Sequence, residues 1–338
     1  MLNNKSILVT GGTGSFGKVF TKLTIGNYNP KKIIILSRDE MKQWNMAEKF
    51  QDYDPDGKIE YVIGDVRDKD CLHRVMDGVD FIVHAAATKI VPTAEYNPFE
   101  CIKTNVNGAM NVIDVAIDKK VKKIVALSTD KACNPINLYG ATKLASDKLF
   151  IAANLYTLNS DTSFSVVRYG NVMGSRGSVI PFFQNRAKTG ILPITHERMS
   201  RFMITIEQGV KLVWHAFEDS VGGEIYVHKI PSMKVTDIAR AVNPKARHEI
   251  IGIRPGEKIH EMMISEEDAI STYEYDWYYK ILPTLNKWNM DKNRIKNGKK
   301  VNQDFVYSSG DNQEWMSIEQ LKDFLGSREY RELQELNI

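Results

Sequence analysis

The chain has 338 residues, a formal net charge of +3 and 43% hydrophobic residues. This length and hydrophobic content suit a globular protein of about two domains, and the near-balanced charge argues against a nucleic-acid-binding protein. No segment approaches the roughly 18 apolar residues that span a bilayer, and the polar start, residues 1–5, lacks the features of a secretion signal. We therefore expect a cytoplasmic protein with no membrane or nucleic-acid partner.

Short apolar segments alternate with helical ones over the first half of the chain. The predicted strands are residues 6–10, 32–37, 60–63, 80–83, 123–127 and 163–167, and the clearest predicted helices are 99–117 and 138–153. This alternation predicts an α/β fold with a Rossmann-type, doubly wound parallel sheet covered by helices on both faces. The strands are rich in Val and Ile, as strands buried on both faces are.

The alternation breaks after about residue 170, where prolines become frequent and the strand-like pieces become short. We predict a Rossmann domain over residues 1–170 and a smaller, irregular lobe with a C-terminal tail over 171–338, of which a later segment could return to the first domain. The lysine-rich segment 287–300 is expected to be solvated surface. The three cysteines, Cys71, Cys101 and Cys133, are too scattered for a disulfide framework, and no cluster of histidines or cysteines has metal-ligand spacing, so we predict no metal.

A glycine-rich turn joins the first predicted strand to the first helix. Gly11 allows the tight turn, Gly14 lets the backbone approach a pyrophosphate, and Gly17 lets the helix pack closely. The helix N-terminus offers N–H groups and a positive dipole end to phosphates. This position between strand and helix predicts a dinucleotide site, to which we also assign Thr13, Ser15 and Phe16.

The end of the second predicted strand bears on the choice of dinucleotide. An NAD site places an acidic residue there to hold the ribose 2′-hydroxyl, whereas this chain has Ser37 and Arg38, with Lys42 just beyond. Two cations can neutralise a 2′-phosphate, so the sequence favours NADP, the alternative being that both are simple surface charges. Further cofactor contacts are expected from Asp65, Val66, Ala85, Lys89 and Val172.

A cluster of acid–base side chains follows the fifth predicted strand. Tyr139 and Lys143 are four residues apart and share one face of a helix, so the ammonium can favour the phenolate. A phenolate beside a nicotinamide is typical of an alcohol-oxidising site. Asp130 and Lys131 add a second acid and base that simple alcohol oxidation does not need.

Several motifs in order then resemble one family. The Ser128-Thr129-Asp130-Lys131 run and the Tyr139/Lys143 pair are accompanied by motifs at residues 94–98, 168–172, 174–178 and 253–258. Together they resemble the configuration-inverting UDP-N-acetylglucosamine 4,6-dehydratases of the extended short-chain dehydrogenase/reductase superfamily. Members of that family begin the bacterial pathway to pseudaminic acid, a sugar of flagellin glycosylation. In glucose-type relatives a glutamate stands where this chain has Lys131.

The resemblance implies an NADP-dependent hydro-lyase. Tyr139, as phenolate, takes the proton of the sugar 4-hydroxyl while Thr129 hydrogen-bonds the same oxygen, and hydride passes to NADP⁺. Lys131, as an uncharged amine, removes the C5 proton; Asp130 protonates the departing 6-hydroxyl. Hydride then returns to C6, and protonation of C5 from the opposite face by Lys131 or Tyr139 gives the L-arabino product. We expect a dry pocket and Lys143 to keep Lys131 neutral.

The second half of the chain is expected to hold the UDP-sugar, and the family further implies a homo-oligomer, a dimer or a hexamer. Arginines suit a diphosphate because they are permanent cations. The candidate substrate contacts are Lys89, Asn171, Arg176, Gly177, Ser178, Val179, Thr195, Arg201, Arg254 and Glu257.

Three rival functions share the fold. A nucleotide-sugar 4-epimerase would keep Tyr139 and Lys143 but would usually lack the Asp130–Lys131 pair. A non-catalytic NADP-binding scaffold typically loses the tyrosine or its lysine. A plain carbonyl reductase would consume NADPH, whereas a dehydratase would not.

Overall fold

The computed structural model describes residues 1–337 and is built around one ten-stranded sheet and three small ones. The strands are β1 (Ser6–Thr10), β2 (Lys32–Ser37), β3 (Ile59–Ile63), β4 (Phe81–His84), β5 (Lys123–Leu127), β6 (Ser163–Arg168), β7 (Asn171–Val172), β8 (Ile191–Ile194), β9 (Ser200–Ile204), β10 (Ile225–His228), β11 (Ser232–Lys234), β12 (Arg247–Ile250), β13 (Met262–Ile264), β14 (Thr272–Glu274), β15 (Tyr278–Ile281), β16 (Lys299–Lys300) and β17 (Tyr307–Ser308).

Helices cover both faces of the large sheet and build the smaller lobe. They are α1 (Ser15–Asn27), α2 (Glu40–Phe50), α3 (Lys69–Val75), α4 (Val91–Tyr96), α5 (Pro98–Ile102), α6 (Gly108–Asp118), α7 (Leu138–Ala153), α8 (Val179–Ala187), α9 (Ile206–Asp219), α10 (Val235–Val242), α11 (Glu266–Ala269), α12 (Lys292–Ile295), α13 (Ile318–Gly326) and α14 (Arg328–Asn337). Within residues 1–337 no helix combines the length and apolarity that crossing a membrane requires.

The large sheet has the doubly wound order that the sequence predicts. Its strands lie in the order β16-β14-β15-β10-β6-β5-β4-β1-β2-β3, and neighbouring strands from β3 to β10 pair in parallel. All five residues of β1 are buried, as expected for a strand covered on both faces. The Rossmann-type α/β fold is therefore confirmed.

The predicted and observed bounds of the helices and strands agree best where neighbouring residues alone determine the element. The predicted strands 6–10, 32–37 and 123–127 and the predicted helix 138–153 keep their bounds. The predicted helix 99–117 is interrupted by a π-helical turn, Lys103–Asn107, between α5 and α6. One extra residue per turn widens the helix at this point, next to the cavity described below.

Segments beyond residue 170 return to the large sheet. β10 continues the parallel order beside β6, and β15, β14 and β16 extend it in antiparallel pairing. Within the lysine-rich segment 287–300, Arg294 is buried and lies 2.8 Å from Glu224. The expectation that this segment is solvated surface is therefore wrong at Arg294, whereas Lys296, Lys299 and Lys300 are exposed as expected.

The buried hydrophobic side chains form two main clusters. The larger one fills the large sheet and its helices, and the smaller one joins α8, α10 and α13. Helix α14 contributes to both, because Leu333 and Leu336 belong to the larger cluster and Tyr330 to the smaller. The Tyr330 hydroxyl donates to Gln184 of α8 at 2.7 Å, and Glu332 accepts from Lys22 of α1 at 2.7 Å. Helix α14 thus connects the large sheet and its helices to the smaller lobe.

Candidate active site

A cavity of about 630 Å³ lies at the carboxyl edge of the parallel strands, where ligands of doubly wound sheets bind. Its walls come from the segments that follow β1, β2, β4, β5 and β6. The predicted catalytic and cofactor residues that line it are Gly11, Gly14, Ser15, Phe16, Gly17, Ser37, Arg38, Lys42, Asp65, Val66, Ala85, Lys89, Thr129, Asp130, Lys131, Tyr139, Lys143 and Val172. The predicted substrate residues that line it are Lys89, Asn171, Gly177, Ser178, Arg254 and Glu257. The strand-end motifs therefore meet in one place.

The glycine-rich turn is fitted to close backbone approach. Gly11 has φ +65°, and a Cβ there would lie 2.9 Å from the backbone nitrogen of Ala86. A Cβ on Gly17 would collide with the backbone of Gly12. Gly14 precedes helix α1 and has no side chain to cap it, and residues 14–17 line the cavity, so the helix begins at the cavity wall. These features fit a dinucleotide pyrophosphate.

At the end of β2, each of the two candidate cations is near a carboxylate. Arg38 lies 3.7 Å from Asp65, and Lys42 lies 2.7 Å from Asp39. Burial raises the pKa of Asp65, but hydrogen bonds from Arg67 outweigh it and hold the pKa below its usual value. Thr13 is not among the described residues that line the cavity. Its hydroxyl is hydrogen-bonded to the hydroxyl of Ser37, which does line it, at 2.8 Å. Arg38 and Lys42 are therefore both at the cavity wall. A 2′-phosphate would compete for them with the carboxylates of Asp65 and Asp39.

Tyr139 lies in the first turn of α7, which Asn137 caps by accepting from the N–H of Gly140 at 2.7 Å. Burial raises the pKa of the Tyr139 phenol to about 12, and the charge of Lys131 and a hydrogen bond with Thr129 oppose it. The cation that acts most strongly on the phenol is thus Lys131, whereas the sequence pointed to Lys143. Burial lowers the pKa of Lys143 itself.

Asp130 and Lys131 form an ion pair at the cavity wall, in which the carboxylate is buried and the lysine side chain is partly exposed. They lie in a single 3₁₀ turn, Asp130–Ala132, whose N-cap is Thr129. The Lys131 Nζ is 3.0 Å from Asp130 Oδ1 and 3.3 Å from Glu261 Oε1. The hydroxyl of Thr129 donates to the same Asp130 oxygen at 3.0 Å. Two carboxylates therefore flank one amine.

This arrangement corrects the expected charge of Lys131. Burial lowers the pKa of Lys131, but the carboxylates of Asp130 and Glu261 outweigh it and hold the pKa above its ordinary value. Lys131 is therefore an ammonium here and not the neutral amine that a dry pocket and Lys143 predicted. Burial raises the pKa of Asp130 against the charge of Lys131, so the acid is more readily protonated than a free aspartic acid.

A second buried network lies behind these residues. The Ser128 hydroxyl donates to Asp147 of α7 at 2.6 Å. Arg168 lies 3.6 Å from Asp147 and 2.9 Å from Asp268. The network ties α7 to the ends of β5 and β6, and so holds Tyr139 against the Asp130–Lys131 turn. The sequence did not predict Asp147, Arg168 or Glu261 as site residues, because their partners are distant in the chain.

Four predicted substrate residues do not belong to the described cavity wall, namely Arg176, Val179, Thr195 and Arg201. Thr195 donates to the sulfur of Met199 at 3.0 Å. Arg201 is buried and donates to the backbone oxygens of Ser200 and Ile259 at 2.7 and 3.1 Å. Arg201 thus supports the site from behind.

The chain is similar to known proteins over nearly its whole length. The family model described as "Polysaccharide biosynthesis protein" matches residues 7–283. An inverting UDP-N-acetylglucosamine 4,6-dehydratase of Campylobacter jejuni is 55% identical over 97% of this chain and 99% of its own length. A UDP-glucose 4-epimerase of Rickettsia akari is 40% identical over 98% of both chains. The X-ray structure of Pen from Bacillus thuringiensis superposes with a TM-score of 0.89 at 35% identity, covering 98% of this chain and 99% of that one.

Proposed function

Because the chain belongs to the polysaccharide biosynthesis protein family, we propose that it is an NADP-dependent UDP-N-acetylglucosamine 4,6-dehydratase that inverts the configuration at C5. The product would be UDP-2-acetamido-2,6-dideoxy-β-L-arabino-hexos-4-ulose. The observation that carries the proposal is the Asp130–Lys131 pair, 3.0 Å apart, in the wall of the same cavity as Tyr139 and Lys143. Oxidation needs the tyrosine and its lysine, and loss of water needs a further acid and base.

The cofactor is assigned to the glycine-rich turn and the end of β2. A nicotinamide held there would supply the redox chemistry, which is hydride removal from C4 of the sugar and hydride return to C6. The first turn of α1 would hold the pyrophosphate, and Lys143 would hold the nicotinamide ribose. Arg38, whose side chain is 59% exposed, is available for a 2′-phosphate, which supports NADP.

Tyr139 handles the proton of the 4-hydroxyl. Its phenol lies in the cavity wall beside Thr129, which would hydrogen-bond the same sugar oxygen. The raised pKa means that the phenol is protonated at rest. The phenol must therefore first release its own proton to solvent. The phenolate, which the ammonium of Lys131 favours, then takes the proton of the 4-hydroxyl.

Asp130 and Lys131 can perform the elimination together. Transfer of a proton from the Lys131 ammonium to the Asp130 carboxylate converts the pair into an amine and a carboxylic acid. The amine takes the proton from C5 of the 4-keto sugar, and the acid protonates the departing 6-hydroxyl as the C5–C6 double bond forms. Water leaves, and the pair returns to ammonium and carboxylate, so the residues end as they began.

The nucleotide sugar would lie along the side of the cavity formed by the later part of the chain. Arg254 is the cation that this part of the chain contributes to the described wall, and Lys89, from the segment after β4, donates its Nζ to the Arg176 carbonyl at 3.2 Å; both cations suit a diphosphate. Asn171 and Glu257 offer an amide and a carboxylate to the acetamido, ribose or uracil groups. We place the reaction in the cytoplasm as the first step toward pseudaminic acid, with the chain acting as a homo-oligomer.

A nucleotide-sugar 4-epimerase is the second candidate, and the Rickettsia relative favours it. An epimerase returns hydride to C4, so its product keeps the 6-hydroxyl and its C5 hydrogen. The Asp130–Lys131 pair would then have no chemical task.

The experiment is incubation with UDP-N-acetylglucosamine and NADP⁺ in heavy water, without reductant, followed by proton NMR. We expect a 6-deoxy, 4-keto product that carries deuterium at C5 and has inverted configuration. An isomer that retains its 6-hydroxyl would instead identify an epimerase, and net oxidation of added NADPH a reductase. Lys131→Ala should stop deuterium entry at C5, and continued exchange would remove Lys131 as the base.

A further inference from the structure

Glu261 lies directly behind the Asp130–Lys131 pair. Its carboxylate Oε1 is 3.3 Å from Lys131 Nζ, and its side chain is 2% exposed. Lys131 lines the cavity whereas Glu261 is not among the described lining residues, so the amine separates the carboxylate from the cavity.

The backbone of Glu261 is fixed independently of its side chain. Its N–H donates to the Ser309 hydroxyl at 2.9 Å, and its carbonyl accepts from the Ser309 N–H at 2.8 Å. The Ser309 hydroxyl is in turn 2.9 Å from that of Ser200. The carboxylate is therefore presented to Lys131 by a rigid frame.

The carboxylate is poorly paired for a purely structural ion. Burying a carboxylate is costly unless hydrogen bonds and a counter-charge compensate. Glu261 Oε2 has no hydrogen-bond partner among residues 1–337, and Arg201 is 3.9 Å away from the other oxygen. The strongest contact of this carboxylate is the one to Lys131, which is also the residue with a chemical task.

Resting on the proposed dehydratase function, we propose that Glu261 is a positioning residue that orients the Lys131 amine and stabilises the ammonium formed when Lys131 takes the C5 proton. Asp130, Lys131 and Glu261 then form one unit: Asp130 exchanges a proton with Lys131, and Glu261 stays ionised throughout. The logic is that of a catalytic base oriented by a third group.

The pH dependence follows from the charged and titratable groups that face this unit, among them the phenol of Tyr139. Asp130, Arg201 and Glu261 act on Lys131, and Lys258, whose Nζ donates to the Cys133 carbonyl at 2.6 Å, acts on Glu261. Glu261 raises the pKa of both Lys131 and Asp130. Activity needs one proton shared by Asp130 and Lys131. Removing the Glu261 charge therefore moves both limbs of the pH–kcat profile to lower pH.

The test compares Glu261→Gln with Glu266→Gln, an exposed glutamate on α11, each with UDP-N-acetylglucosamine and NADP⁺. For Glu261→Gln we expect kcat to fall by about 100-fold, the lower end of what positioned acid–base groups contribute. We also expect both pH limbs to shift downward and deuterium entry at C5 to slow, while the KM for NADP⁺ is unchanged. Glu266→Gln should behave as the wild type.

A shortened carboxylate provides the second arm. Glu261→Asp keeps the charge and should retain the wild-type pH limbs with a reduced kcat, which also covers the case in which Glu261→Gln fails to fold. Wild-type limbs in Glu261→Gln, or shifted limbs in Glu261→Asp, overturn the role of Glu261. A wild-type protein that makes no 6-deoxy product instead overturns the proposed function.

Discussion

The substitution Gly11→Ala tests whether the turn after β1 requires a residue without a side chain. Gly11→Ala places an L side chain at φ +65°, which costs about 1–2 kcal/mol. The new Cβ also lies 2.9 Å from both the backbone nitrogen and the Cα of Ala86, and overpacking of this kind costs about 1–3 kcal/mol. We therefore expect a loss of about 3 kcal/mol in the free energy of unfolding.

The chain supplies its own control on the helix that follows. Gly26 lies near the end of α1, and a Cβ there would have no atom within 4 Å among those described. Gly26→Ala should therefore stabilise the protein by about 0.5 kcal/mol. For 338 residues, the unfolding entropy is about 0.7 kcal/mol per degree. The Tm should fall by about 4 °C in Gly11→Ala and rise by less than about 1 °C in Gly26→Ala.

Thermal unfolding at one scan rate, with and without NADP⁺, measures both effects. A ligand at 100 times its Kd adds about 2.7 kcal/mol, or about 4 °C by the same entropy. Gly26→Ala should keep this rise, and Gly11→Ala should lose most of it, because Gly11 and Ala86 both line the cavity. A Gly11→Ala protein that melts with the wild type and keeps the cofactor-induced rise would refute the reasoning.

Three other side chains give contrasting tests. Tyr139→Phe should lower 6-deoxy product formation by at least about 100-fold and abolish transient cofactor reduction at 340 nm; a surviving transient would contradict this. Arg38→Ala should raise the KM for NADP⁺ but not for NAD⁺, and a parallel change in both would exclude 2′-phosphate recognition. Although burial raises the pKa of Asp219, hydrogen bonds from Lys280 and its neighbours lower it to about 2, below the ordinary 3.8. The stabilisation that the Asp219 carboxylate contributes is therefore present above about pH 4 and lost toward pH 2. The free energy of urea unfolding of Asp219→Asn should approach that of the wild type as the pH falls through this interval. A difference between the two proteins that stays constant would contradict the assignment.

Local patterns predicted the elements that carry the site. The apolar runs of β1, β2 and β5 and the capped helix α7 have their predicted bounds, because burial on both faces and an N-cap are properties of neighbouring residues. The antiparallel strands β14, β15 and β16 were not predicted, because their pairing joins segments that are polar or short. Arg294 shows the same limit, since its burial depends on Glu224 from a distant part of the chain.

In the candidate site, too, some features could be predicted from the sequence and others could not. Residues at strand ends were found because a parallel sheet brings those ends to one edge. The protonation of Lys131 was mispredicted, because Lys143 is close in sequence whereas Glu261, which acts on the amine at 3.3 Å, is not. The charge of a buried group depends on its three-dimensional neighbours, and only the fold supplies these.

Helix α14 has a consequence for how the cavity can open. It is anchored to α1 on the cofactor side through Lys22 and to α8 on the other side through Gln184. A hinge motion that parted the two sides would have to detach this helix, so dinucleotide exchange should depend on local loosening and be slow. Such retention suits a catalyst that regenerates its redox partner within every turnover, because release would only interrupt the cycle.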